Sequence, residues 1–301
     1  MDNKTDMTRE LVLLLALSAL WGASYTFIKI GVETIAPVTL VAARTLIAGL
    51  LLLAVIRWRG LRMPRDRQTW IYFLCQACLN SVLPFTLIAW AERTTDAGLA
   101  AILNSTTPIF AFLITALITR HEAMTSRKLF GVSSGLIGTA LIIGLGALDN
   151  IGQALPAQLA IVAATICYAG AAVFGRNFRG LDPMLPAGGS LISGAVILIP
   201  VSIVVDHPWT LSPSLHSLLA LLTLSVFSTA LAFVIYFRLM QTLGSVGATA
   251  QAYLRVPIGV AIGVIFLGET LSSTAGLGLV FVMAGVVAMT LPARARVRHV
   301  V

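Results

Sequence analysis

Acidic side chains are scarce in this chain, and none sits inside its hydrophobic stretches. Only 12 of 301 residues are Asp or Glu, and all lie at the ends of apolar runs or between them. Proton and sodium coupling in a membrane usually needs a carboxylate at depth, so the sequence argues against a dedicated ion-coupling site. The same shortage speaks against a membrane-embedded enzyme, which needs a nucleophile, base or metal ligands converging at one place. Histidine and cysteine are equally thin. His121, His207, His216 and His299 fall in loops or tails, while Cys75 and Cys78 form a C-x-x-C spacing within an apolar run. A redox or metal site wants a more polar setting and more ligands, so the cysteines are expected to be packing residues, with no metal and no cofactor. A Walker phosphate loop is also missing, which leaves ATP drive without its machinery. No polar segment is long enough for a soluble domain, the longest being Arg57 to Gln68.

What is present is hydrophobic length. The chain is 58% hydrophobic and 11% charged with a mean hydropathy of +0.94, far from a soluble domain of this size. Ten apolar stretches can be assigned, at 10–30, 38–57, 69–90, 96–118, 127–147, 155–177, 187–205, 215–240, 246–267 and 273–291. About twenty residues of helix cross a bilayer core. Lipid offers no partner for free backbone groups, so the stretches must be helical, and the alternation that a barrel strand needs is missing. The first stretch is longer than the apolar part of a signal peptide and lacks a small-residue cleavage site, so it is expected to be retained.

The basic residues orient the chain. With the N-terminus inside, 16 of the 20 Lys and Arg fall in inner segments, Arg93 alone falls in an outer loop, and Lys29, Arg44 and Arg255 fall within spans. The positive-inside bias then puts both ends in the cytoplasm. The net charge of +8 is explained by this topology, since the basic groups sit at span ends, and nucleic-acid binding is not expected.

Division near residue 150 gives two units of five spans, 1–150 and 151–301, and an odd number per unit inverts the second. The segment from Asn104 to Pro108 in the fourth stretch has a counterpart from Gln251 to Pro257 in the ninth. Each is followed by an apolar run, an acidic residue (Glu122, Glu269) and a Gly-rich span. Further motifs are Trp21 to Lys29, Pro37 to Arg44, His121 to Thr125 with Gly131 and Gly138, and Leu267 to Leu271. On these the chain resembles the EamA-type members of the drug/metabolite transporter superfamily, and within them the YddG-type amino-acid exporters. The resemblance implies an all-α, ten-helix basket in the inner membrane. Helices 1–4 and 6–9 would surround a central cavity, with 5 and 10 at the periphery.

Candidate site residues follow from depth and spacing. Trp21 and Tyr25 share one face of the first helix with Ser18 and Ile28. Ser228 and Tyr236 repeat the pattern in the eighth, beside Ser225, Thr229 and Phe233. Asn80, Asn104, Tyr168 and Gln251 add polar groups at depth, where they must face protein, water or substrate. Interhelical hydrogen bonding is the competing account. Arg255 is the most unusual, with no acid at comparable depth. It is expected to meet a substrate carboxylate, together with Lys29, or else to be tied to helix ends. Arg44 lies nearer the outer face, where it is expected to snorkel or to pair with Glu33, Glu92 or Asp96 in a structural role. Pro84, Pro108 and Pro257 are the candidate hinges, and the glycines of the fifth, ninth and tenth spans are expected to permit close packing.

The expected protein is a monomeric, multi-pass exporter of neutral and aromatic amino acids that works by alternating access, with lipid as its other partner. Export of purines, sugars or drugs is the alternative, followed by a membrane enzyme or a channel. A channel would favour rings of charge, which the sequence lacks.

Overall fold

The structure is a computed structural model that describes residues 7–94, 103–115, 125–143, 155–255, 258 and 273–290. Its helices are α1 (Met7–Val32), α2 (Pro37–Trp58), α3 (Arg67–Ala91), α4 (Thr107–Leu113), α5 (Ser126–Ile143), α6 (Leu155–Phe174), α7 (Met184–Val205), α8 (Leu215–Thr242), α9 (Gly244–Thr249) and α10 (Ser273–Thr290). Six of them, α1, α2, α3, α6, α7 and α8, are long and apolar enough to cross a membrane. They coincide with the predicted stretches 10–30, 38–57, 69–90, 155–177, 187–205 and 215–240. The other four stretches run partly outside the described residues.

The distribution of side chains is that of a bundle solvated by lipid. Leu50, Val196, Leu218, Leu222 and Phe227 are exposed, whereas Ser18, Thr45, Asn80, Thr165 and Ser190 are buried. Helix starts carry local signals. Pro37 opens α2, where its missing N–H costs nothing. The Asp66 carboxylate accepts from the Thr69 N–H at 2.7 Å and caps α3. Those bonds hold the Asp66 carboxyl below the usual carboxylate range. Ser214 caps α8 in the same way through the Ser217 N–H.

Two antiparallel pairs frame the bundle. The start of α1 meets the end of α8 through Glu10, which accepts from Arg238 at 2.6 Å and from Thr242 at 2.9 Å. The opposite ends meet where Ser217 Oγ donates to the Ile30 carbonyl at 2.8 Å. Helices α2 and α7 pair likewise. Arg59 reaches Met184 Sδ at one end, and at the other the Asp206 carboxylate accepts from the Thr39 N–H at 2.6 Å. The Arg9 end of α1, the Arg57 end of α2 and the Arg238 end of α8 therefore gather on one side of the bundle, with the start of α7.

Several helix contacts recur when the helix number is advanced by five. α2 packs on α7 and α5 packs on α10, while the α3–α6 contact has the α8–α1 contact as its counterpart. The correspondence extends to irregularities. α3 contains a π-helical turn at Cys78–Val82, and α8 contains one at Val226–Leu231. The α4 helix starts afresh after a turn at 105–106, and α9 breaks at Ala250 before helical residues 251–255. The α5–α10 contact depends on glycine: a Cβ on Gly138 would lie 2.6 Å from the Gly278 carbonyl oxygen and 2.6 Å from the Val282 nitrogen.

Pro108 does not sit in a helix interior as the sequence reading has it, but in the first turn of α4, where no intrahelical N–H is lost. Pro84 lies inside α3, two residues beyond its π turn. Pro257 lies outside the described residues. Pro200, which the sequence reading did not single out, is the proline inside α7.

Candidate substrate cavity

A cavity opens where the irregular segments meet. Its walls come from α1 (Trp21, Ser24, Tyr25, Ile28), α2 (Arg44), α3 (Asn80, Phe85, Ile88), Thr107 of α4, Tyr168 of α6, Tyr236 of α8, and Thr249, Gln251 and Arg255 at and beyond α9. No described lining residue comes from α5 or α10. None comes from α7 either, which the resemblance had placed among the cavity helices.

Arg255 is held by neutral groups. Its Nε donates to Gln251 Oε1 at 2.8 Å, one helical turn away, and its Nη1 donates to the Tyr25 hydroxyl at 3.1 Å. The guanidinium carbon stands 5.1 Å from the centre of the Trp21 ring. The Asn104 side-chain amide donates to the same Tyr25 hydroxyl. Asn104 thus supports the wall from behind, and α1, α4 and the 251–255 segment are tied at one point.

The second charged group in the wall is Arg44, only 2% exposed. Its Nε donates to Thr229 Oγ1 at 2.6 Å, Nη2 reaches the Ser228 carbonyl at 3.5 Å, and its guanidinium carbon lies 3.9 Å above the Phe85 ring. It is therefore buried in the cavity wall, and among the described residues it makes no ion pair with an acid. Seven residues after Pro37 is about two helical turns, roughly 10 Å along the axis, which puts Arg44 at cavity depth. The count from the helix start was the signal available in the sequence.

Of the residues singled out from sequence, the structure brings Trp21, Tyr25, Asn80, Tyr168, Tyr236, Gln251 and Arg255 to this wall. Ser228 is turned to α1 instead. Its hydroxyl donates to the Leu20 carbonyl at 2.8 Å, and its own carbonyl accepts from Trp21 Nε1 at 3.0 Å. Ser18 and Ser225 bond back to carbonyls of their own helices, Leu14 and Leu221. Phe233 is fully buried behind the Trp21 ring. Lys29 is exposed and is not among the lining residues. Buried amide groups around the wall include the Asn80 Nδ2 and Asn104 Oδ1 atoms, neither of which has a hydrogen-bond partner.

Glu92 sits at a span end, as the sequence places it, but it is buried there. It is the first residue beyond α3, yet only 8% exposed, and neither carboxylate oxygen has a hydrogen-bond partner. Phe85, Ile88 and Glu92 follow at helical spacing, so Glu92 stands one turn beyond the cavity wall. Burial pushes its carboxyl up to about 8, against the opposing pull of Arg44 and Lys29.

The model of the EamA-like transporter family matches residues 8–144 and 155–291, two copies that fill most of the chain. The chain belongs to that family. An uncharacterized inner membrane transporter of Escherichia coli, YedA, is 30% identical over 92% of this chain and 89% of its own. An uncharacterized transporter of Archaeoglobus fulgidus is 29% identical over 93% of this chain and 97% of its own. A probable terminal-alkyne amino-acid exporter of Streptantibioticus cattleyicolor is 25% identical over 88% of each. A crystal structure of another protein superposes with a TM-score of 0.76 over 94% of this chain and 97% of that chain; at 16% identity, that shows a shared fold alone. This EamA-like chain is a multi-pass protein of the inner membrane, built from two copies of the family's unit.

Among the described residues no group of three or more His, Cys, Asp or Glu is placed to hold a metal ion. The cysteines are free, and Cys75 is exposed on the outside of α3 instead of packing within the bundle.

Proposed function

We propose that this EamA-like transporter exports small carboxylate-bearing metabolites, with neutral and aromatic amino acids as the main cargo. The observation that carries the reading is Arg255, a guanidinium presented to a cavity walled by Trp21, Phe85, Tyr168 and Tyr236 and bonded, among the described residues, to neutral groups. Two of its five N–H donors are used by Gln251 and Tyr25, which leaves donors for an acidic group, while the rings suit an apolar or aromatic side chain. The resemblance to a probable amino-acid exporter supports the same class.

In this reading ten helices cross the membrane as inverted halves, 1–150 and 151–301, with both ends cytoplasmic. The gathering of Arg-bearing helix ends on one side supports that orientation. The interrupted segments at 105–106 and at Ala250, with Pro84, Pro108 and Pro257, supply the bends for alternating access. The protein works as a monomer in lipid, without cofactor or nucleic acid. No carboxylate is among the described lining residues, which favours transport driven by the solute's own gradient.

The test is counterflow in liposomes against a panel of labelled amino acids and nucleosides. Arg255→Gln should weaken entry of carboxylate-bearing solutes selectively, and unchanged counterflow removes the reading. Strong acceleration by an imposed pH gradient would contradict gradient-driven transport and move attention to Glu92.

A further inference from the structure

We propose that the cavity is built for solutes bearing two acidic groups joined by a short apolar spacer, one group bound at Arg255 and the other at Arg44. The inference rests on the transport reading above and, within its carboxylate-bearing solutes, places diacids ahead of the neutral amino acids. Its basis is charge balance. Arg44 and Arg255 are the charged residues among the described cavity lining, and both are cations. Among the described residues the close ion pair is Arg238 with Glu10, far from this wall. Glu92, one turn beyond the wall, makes no hydrogen bond to either guanidinium.

Each guanidinium is oriented by neutral partners that fix it without cancelling its charge. Thr229 and the Phe85 ring hold Arg44, and Gln251, Tyr25 and the Trp21 ring hold Arg255. Two buried cations that face one low-dielectric space are costly and repel each other, and Glu92 acts on Arg44 only at a distance, without a hydrogen bond. A solute with a single carboxylate relieves one of them. A solute with two relieves both and removes the repulsion as well. Trp21 sits between the two sites, since its ring faces Arg255 and its indole N–H shares the Ser228 carbonyl with Arg44. The stretch of solute between the acids would therefore lie against apolar surface. Asn80 adds a buried amide donor without a partner in the same wall.

The test uses the full-length protein in detergent, with ligand-induced thermal stabilisation across matched pairs: glutamate against glutamine, aspartate against asparagine, and glutarate against pentanoate. The diacid of each pair is expected to bind about tenfold tighter or more, the usual scale for a hydrogen bond to a charged group. Arg44→Gln should collapse that ratio towards one by losing more diacid than monoacid binding, and Arg44→Lys should keep part of it. Equal affinity for glutamate and glutamine in the unaltered protein overturns the proposal, as does an Arg44→Gln variant that loses both alike. If Arg44→Gln does not fold, the matched pairs on the unaltered protein and on Arg44→Lys still decide. Binding and counterflow of neutral amino acids alone would leave the transport reading standing and sink this one. No response to any carboxylate would sink both.

Discussion

Trp21 and Arg44 converge on one backbone carbonyl. The indole N–H of Trp21 donates to the Ser228 oxygen at 3.0 Å, and Arg44 Nη2 reaches the same oxygen at 3.5 Å. That oxygen belongs to the π-helical turn of α8, where the register of the helical ladder is disturbed. Such turns recur at functional sites because they expose backbone groups that a regular helix keeps to itself. One irregular turn thus couples an aromatic wall of the cavity to a cation in the same wall.

Trp21→Phe keeps most of the ring and removes the donor. The lost hydrogen bond is internal to the protein and worth about 1 kcal/mol of stability, so the melting temperature should drop slightly, while counterflow should fall further because the ring is no longer pinned in the cavity wall. A loss of folded yield equal to the loss of flux would mean that the contact is structural only.

Glu92 makes stability depend on pH. Its carboxyl is raised from 4.5 to about 8 in the folded protein. Between those values the folded protein keeps a proton that the unfolded chain has released. The favourable contribution of the neutral group is therefore present at low pH and lost as pH climbs through about 8. Glu92→Gln should match the parent in melting temperature near pH 4.5 and exceed it by a few degrees at pH 9. Parallel curves for the two proteins across that range would refute the assignment.

Arg238 covers a buried carboxylate. Glu10 is 1% exposed while Arg238 is 34% exposed, so the pair itself adds little, but Arg238→Ala strands Glu10. The expected cost is about 1–3 kcal/mol, read as a lower melting temperature. Adding Glu10→Gln to Arg238→Ala should recover most of it. A double variant no better than Arg238→Ala would show that the loss comes from the packing of the arginine stem.

Gly138→Ala and Gly276→Ala form a matched comparison. A Cβ on Gly138 meets backbone of α10 at 2.6 Å, whereas one on Gly276 meets nothing within 4 Å. Forcing α5 and α10 apart should cost about 1–3 kcal/mol, and the Gly276 change should be neutral. Equal melting temperatures for the two variants would contradict the observed α5–α10 contact.

Much of the molecule could be read before its fold was known. Span positions follow from hydrophobic length, since a bilayer of fixed thickness demands helices of fixed length, and six predicted stretches coincide with long apolar helices. Aromatic and amide residues at depth were also readable, because polar groups in lipid must face inward; seven of the nine residues named from sequence line the cavity. The surroundings of Arg44 and the burial of Glu92 went unread for one reason. Distance from a span end measures depth along the membrane normal, whereas burial depends on which neighbour stands across the helix face.

The linear chain determined on its own that this is a helical membrane protein with a duplicated plan, because lipid punishes every unsatisfied backbone group and every stray charge in the same way at every position. Only the folded bundle decided that Arg44 and Arg255 share a cavity, that Ser228 braces it instead of lining it, and that Glu92 is buried. Those outcomes depend on side chains 185 to 230 positions apart meeting across helix faces, and a local pattern carries no record of that.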